Sequence, residues 1–219
     1  MAIVQNPITG TTRKKFGTAV FSKQFGKNTM RTKPFGVKNP NTPAQAAQRL
    51  KFSTIVKLVR QVLPLINSAY GSNPLSGMSP FNKIVSINVK NAFTGDPPVL
   101  DHTKVVFCDL EGSTISEVEM TAQPNQEMEI TWEPNSTDPD EMSSMLTFIL
   151  INCTTHKVMQ YPDLVARNAG SITLTAPSDW VGAMTALHVL TFDYSQIVSG
   201  NPKGIIKFKH GNDAASTVQ

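Results

Sequence analysis

The side chains able to do chemistry in this sequence are few and scattered. Its four histidines, His102, His156, His188 and His210, stand at neither helical nor hairpin spacing from one another. General acid–base catalysis needs an imidazole within hydrogen-bond reach of the reacting group. His188 lies in a strand-like run and is expected to be an ordinary strand histidine. Cys153 and His156 are the thiol and imidazole closest in sequence. A thiolate nucleophile needs a positioned base and a surrounding that lowers its pKa, whereas Cys153 ends an apolar run that begins at Met145. Cys108 also falls in an apolar run. Both are read as reduced core thiols, with an inter-sheet bridge as the alternative for an exported chain. Cys-x-x-Cys and paired-histidine spacings are absent. Asp138-Pro139-Asp140-Glu141 lacks the glycine turn and distal glutamate of an EF-hand and reads as a solvated acidic loop. No glycine-rich loop has the form of a phosphate cradle. The expectation is a non-enzymatic protein with no cofactor, no metal and no small-molecule substrate.

Charge is distributed far less evenly. The first acidic residue is Asp96, and residues 1–95 carry 14 of the 20 lysines and arginines. The remainder holds 6 basic residues against all 16 acidic ones, so a segment of formal charge +14 precedes one of −10. Two such halves should attract different partners. Arg13, Lys14, Lys15, Lys27, Arg31, Lys33, Arg49, Lys57 and Arg60 are the candidate residues for binding a partner or a phosphate. Phe16, Phe21, Phe25 and Phe35 are interleaved with them, a mixture that would also suit nucleic acid.

The elements that must carry these residues follow from local patterning. Residues 1 to about 17 read as an extended polar arm. Thr18–Lys23 and Asn28–Lys33 read as strands of a hairpin turned at Gln24-Phe25-Gly26-Lys27. Thr42 is a fitting N-cap, and Pro43 suits the first helical position, where its missing N–H is not needed. Ala44 to Leu63 should form one long helix, with Phe52, Ile55, Val56, Val59, Leu63 and Ile66 as its apolar stripe. Pro64 should kink or end it. Phe81 to Val89 is a short apolar segment, and Asp96-Pro97-Pro98 is the expected linker. Beyond it about seven strands are expected: Lys104–Cys108, a run containing Met128, Ile130 and Trp132, Met145–Cys153, Val158–Tyr161, Ser171–Thr175, Thr185–Tyr194 and Gly204–Lys209. The predicted fold class is α+β. A basic arm, hairpin and helix module at 1–95 would precede an all-β immunoglobulin-like sandwich at 99–219, with Trp132, Phe148, Leu150, Leu187 and Val189 in the sandwich core.

Three segments resemble an uncharacterised family of bacterial and phage-associated proteins, a domain of unknown function. They are Phe16-Gly17-Thr18-Ala19-Val20-Phe21 through Gly26-Lys27 to Arg31, then Asn39-Pro40-Asn41-Thr42-Pro43-Ala44-Gln45, then Gln48-Arg49-Leu50-Lys51-Phe52. Ile130-Thr131-Trp132-Glu133 and Ser178-Asp179-Trp180 look like its strand segments. The resemblance implies a conserved module without an established activity, and it points toward structural proteins of phages and mobile elements.

The expected function is structural. The cationic module would dock on an acidic partner or on a neighbouring subunit of a homo-oligomer. The alternatives are a sequence-nonspecific nucleic-acid-binding module using the same residues, and an Ig-like adhesion or decoration domain acting through the sandwich loops. No membrane partner is expected, since no apolar run approaches the roughly 18–20 residues of a spanning helix. The N-terminus lacks the pattern of a secretory signal. Cytoplasmic synthesis is therefore expected, with the virion as the destination the resemblance implies.

Overall fold

The structure is a computed structural model that describes residues 2–3, 14–24, 26–36, 40–70, 77–108, 115–134, 136–193, 207–210 and 214–217. Arg13, and with it most of the expected arm, lies outside the described residues. Where the arm is described it is strand: β1 (Ala2–Ile3) and β2 (Lys14–Phe16) flank the hairpin β3 (Ala19–Gln24) and β4 (Lys27–Thr32). Together they form a four-stranded antiparallel sheet in the order β1-β4-β3-β2. An arm that cannot bury a core can still satisfy its backbone along the two open edges of a hairpin. Gly26 sits at φ 79° in the β3–β4 turn, a conformation that favours glycine.

The long helix expected to kink or end at Pro64 is present and stops just before it, and two further helices follow that were not expected. Helix α1 spans Pro43–Gln61, with Pro43 in its first turn and the Thr42 hydroxyl accepting from the Gln45 amide at 3.3 Å. Val62 interrupts the helical dihedrals, and α2 (Leu63–Tyr70) begins immediately. Pro64 is thus in the first turn of a new helix, where its lack of an amide costs nothing. The segment from Phe81 onward is α3 (Pro80–Asn91), started by Ser79 and Pro80 in the same way, with the Ser79 hydroxyl accepting from Asn82 N at 3.2 Å. The buried stripe of α1 is Ile55, Leu58 and Val59, continued by Val62 and Ile66. Phe52, expected within it, is 54% exposed.

The expected linker is a turn. Asp96, Pro97 and Pro98 connect β5 (Phe93–Thr94) to β6 (Val99–Leu100), and Phe93 pairs with Leu100. Lys104–Cys108 is not a strand. A 3-10 turn at His102–Lys104 leads into irregular chain whose Val105, Phe107 and Cys108 are buried. Asn88 of α3 explains this: its amide donates to Val106 O and accepts from Val106 N, both at 2.7 Å. The side chain takes the place of a neighbouring strand.

The remaining strands are β7 (Ser116–Ala122), β8 (Glu127–Glu133), β9 (Met145–Asn152), β10 (Val158–Ala166), β11 (Ser171–Thr175), β12 (Met184–Asp193), β13 (Lys207–His210) and β14 (Ala214–Thr217). Strands β7 and β14 were not anticipated. One helical turn, α4 (Pro139–Met142), precedes β9, and Ser178–Trp180 is a 3-10 turn rather than strand, with Trp180 buried.

These strands form two antiparallel sheets. The larger has the order β10-β9-β12-β13, with β14 also paired to β12; the smaller is β11-β8-β7. Trp132, Phe148, Leu150, Leu187 and Val189 all lie in the apolar cluster between the sheets. The opposite face of β9 and β12, through Ile149, Ile151, Ala186 and Leu190, joins a second cluster with Ile55, Val59 and Ile84 of the helices. The larger sheet is therefore a middle layer, with helices on one side and the smaller sheet on the other, so the helical half and the β half share a core. Such a layer needs strands apolar on both faces, and β9 is buried at every position after Met145.

Candidate functional site

The candidate residues fall into two groups on different elements. Register places Lys15, Val20 and Arg31 in one row across β2, β3 and β4. Directly paired residues point to one face, and so do residues two apart. Lys27 therefore shares the face of Arg31, while Lys14 lies on the reverse face beside Phe21 and Met30. Lys33 follows β4, its Nζ 5.7 Å from the centroid of the Phe35 ring, which is 70% exposed. The second group is on α1, where Arg49, Lys57 and Arg60 recur at helical spacing along the exposed side. Arg49 Nη1 donates to Asn41 Oδ1 at 2.8 Å. Arg60 lies in the last turn, where a cation complements the helix dipole. Lys14, Lys15, Lys27, Arg31, Lys57 and Arg60 form no ion pair among the described residues. The ion pairs described there, Lys104–Asp101, Lys157–Asp179 and Arg167–Glu141, all belong to the second half.

A surface of opposite sign was missed. On β8, Met128, Ile130 and Trp132 point inward, so Glu127, Glu129 and Glu133 point outward. Glu119 of β7 pairs with Thr131 and joins that outer face, with Glu117 exposed beside it. Strands β7, β8 and β11 contain no lysine or arginine, and the rest of the face is serine and threonine. The signal was legible as Glu-x-Glu alternation in Glu117-Val118-Glu119 and Glu127-Met128-Glu129.

The histidines also assemble. His102 Nε2 and His156 Nδ1 are 2.8 Å apart, with the rings stacked at 5.0 Å and 25°. They lie with Cys153 in a cleft of about 430 Å3 whose apolar walls include Leu50, Phe93 and Val99. His188 is buried nearby, edge-on to Phe107 at 5.2 Å. Burial, reinforced by His156 and His188 and opposed by Asp101, pushes the His102 pKa down to about 4. Burial likewise lowers that of His156 and raises that of the Cys153 thiol. The cleft thus presents neutral imidazoles and a protonated thiol at neutral pH, the reverse of a thiolate–imidazolium pair. A separation of 54 residues left this pairing without a sequence signal. Cys108 and Cys153 are unbridged. No group of three or more His, Cys, Asp or Glu side chains among the described residues is arranged to hold a metal ion. The Asp138–Glu141 loop is tied into the fold: Asp138 Oδ1 accepts from Asp140 N at 3.0 Å, and Glu141 Oε2 lies 3.7 Å from the buried Arg167.

Fold and surfaces together define a protein whose two packed antiparallel sheets are roofed by helices, basic on its N-terminal elements and acidic on its outer sheet. It belongs to a family of unknown function, DUF6266, whose model matches residues 11–197. Comparison with curated proteins finds no match. Among solved structures, the chain is similar to the FN1–FN3 domains of chicken CNTN1 (9% identity, TM-score 0.33), covering 50% of this chain and 31% of that one. It is also similar to the fn3 domain of human contactin 1 (12%, TM-score 0.31, covering 51% and 81%). The fn3 domain of the human collagen alpha-1(XX) chain is a third (13%, TM-score 0.29, covering 51% and 88%). Nothing about activity or partners follows from likenesses of that size. No helix among the described residues is long and apolar enough to cross a membrane.

Proposed function

We propose that this protein is a non-enzymatic assembly protein whose cationic N-terminal elements dock on an acidic protein surface. The setting implied by the resemblance in its sequence is a phage or phage-like particle. The observation that carries the reading is the exposed cations Lys15, Lys27, Arg31, Lys57 and Arg60, which form no ion pair among the described residues and lie in a segment that contains no carboxylate at all. Exposed cations supply long-range attraction and orientation toward an anionic surface. Exposed Met30 and Phe35 beside them add apolar contact of the kind protein interfaces bury. A second reading is favoured by the Lys33–Phe35 pair, since a cation beside an exposed ring also suits the bases and phosphates of single-stranded nucleic acid.

Fluorescence anisotropy with a labelled polyglutamate peptide and with single- and double-stranded DNA, each across a salt series, tests both. Polyglutamate should bind at low salt, loosen about tenfold or more by 0.5 M as the charges are screened, and be lost in Lys15→Glu/Arg31→Glu or Arg49→Glu/Lys57→Glu. DNA binding at least as strong, with a log–log salt slope of about −0.9 per phosphate neutralised, would favour the second reading. No binding of either probe at low salt would overturn both.

A further inference from the structure

The two charged surfaces belong to one chain yet cannot meet within it where their positions are set. Strand β9 sends Phe148 and Leu150 toward the smaller sheet and Ile149 and Ile151 toward the helices. The outer face of the smaller sheet, with Glu119, Glu127, Glu129 and Glu133, therefore lies on the far side of the body from α1. Arg49, Lys57 and Arg60 are on the solvent side of α1, opposite the Ile55–Val59 stripe that packs on the middle sheet. A whole layer of sheet stands between the two surfaces, so attraction between them can be satisfied only between molecules.

We infer that the acidic partner is a second copy of this chain: the outer face of β7-β8-β11 on one molecule receives the exposed face of α1 on the next. This rests on the docking reading above and names its partner. The spacings agree. Arg49 and Lys57 are two helical turns apart, about 12 Å at 1.5 Å per residue. Glu129 and Glu133 are four strand residues apart, about 13 Å at 3.3–3.4 Å per residue. Glu119 flanks them from the adjacent strand, in the row of Thr131 between the two. The rest of the face is threonine and serine, and its strands carry no lysine or arginine; Glu129 Oε2 accepts from Gln123 Nε2 at 3.0 Å and keeps its other oxygen for a partner. Because donor and acceptor surfaces differ and lie on opposite sides, the contact is head-to-tail, and repetition builds an open chain of molecules or a large ring rather than a closed two-fold dimer.

Sedimentation velocity of the full chain at 5–100 micromolar, in low salt and in 1 M salt, reads the outcome. Two variants accompany it, Glu119→Gln/Glu129→Gln/Glu133→Gln and Arg49→Gln/Lys57→Gln/Arg60→Gln, each checked by circular dichroism for an intact fold. The unaltered protein should form species that grow with concentration and dissociate in high salt. Each variant alone should be monomeric. Their mixture should give a 1:1 complex and nothing larger, since only one complementary pair of surfaces remains. A monomeric unaltered protein at 100 micromolar in low salt, undiminished association in either variant, or no complex in the mixture would each overturn the inference. Polyglutamate binding separates the two levels. If the unaltered protein binds it but stays monomeric, docking on acidic surfaces stands and the second copy fails. If it does neither, both fail.

Discussion

The His102–His156 pair shows how burial sets the chemistry of a side chain. His102 is 8% exposed, and transferring an imidazolium to that site costs more than transferring the neutral ring. Its folded pKa of about 4 lies below the unfolded value of 6.5. Between those values the unfolded chain holds the extra proton, so stability rises with pH through this window and is fully present above about 6.5. The full span corresponds to about 3 kcal/mol. His156, in the turn between β9 and β10, and His188 of β12 oppose charging of His102, and Asp101 favours it. Urea denaturation at pH 7.5 and 4.5 should show a smaller loss of stability in His102→Gln than in the unaltered protein. Equal losses would place the pH dependence in other groups, such as His156 and the carboxylates.

Gln61 joins α1 to the sheet. Its Nε2 donates to His156 O at 2.8 Å and its Oε1 accepts from Val158 N at 3.1 Å, while its own carbonyl accepts from Gln160 Nε2 at 2.7 Å. Strand β10 is an edge, and this amide occupies backbone positions that another strand would otherwise fill. Pro162, beside the irregularity between Tyr161 and Val165, fits the same edge. Gln61→Ala should cost about 1–2 kcal/mol for two partly exposed hydrogen bonds and speed exchange of the Val158 amide. Unchanged exchange at Val158 would show that the contact does not hold the edge. The helix that carries Gln61 was legible from Thr42, Pro43 and the threefold and fourfold spacing of its apolar residues. So was its interruption beside Pro64; the immediate start of α2 was not, because a proline after an apolar run marks a new first turn as readily as a stop.

For the molecule as a whole, the shared core decides whether residues 99–219 could fold alone. Separated from the helices, that fragment would keep the cluster around Trp132 and Phe148 but expose Ile149, Ile151, Ala186 and Leu190 on the outer side of the middle sheet. At about 25 cal/mol per Å2, leaving several such side chains in water forfeits several kcal/mol. The fragment should therefore retain β-type circular dichroism yet bind a hydrophobic dye and aggregate. Ile149→Thr/Ile151→Thr should relieve the aggregation, whereas the same pair in the full chain should lower its thermal midpoint. A fragment as soluble and dye-silent as the full chain would mean that the helices contribute little to covering the sheet.

Several features of this protein are local, and those were readable from order alone. A cap, a proline in a first turn, the alternation of Met128, Ile130 and Trp132, and the absence of carboxylates before Asp96 depend on neighbours within a few positions. The apolarity of both faces of β9 was equally plain and required covering on two sides. Which surfaces supply that cover depends on packing between segments far apart in the chain, so the helical roof appeared only in three dimensions. The same holds for Asn88, whose amide meets the backbone of Val106 across 18 residues, and for His102 and His156 across 54. A hydrogen bond between distant segments leaves no periodicity in the chain. Its partners are selected by the geometry of the packed layers, and so is the separation of the basic helix from the acidic sheet on opposite sides of one body.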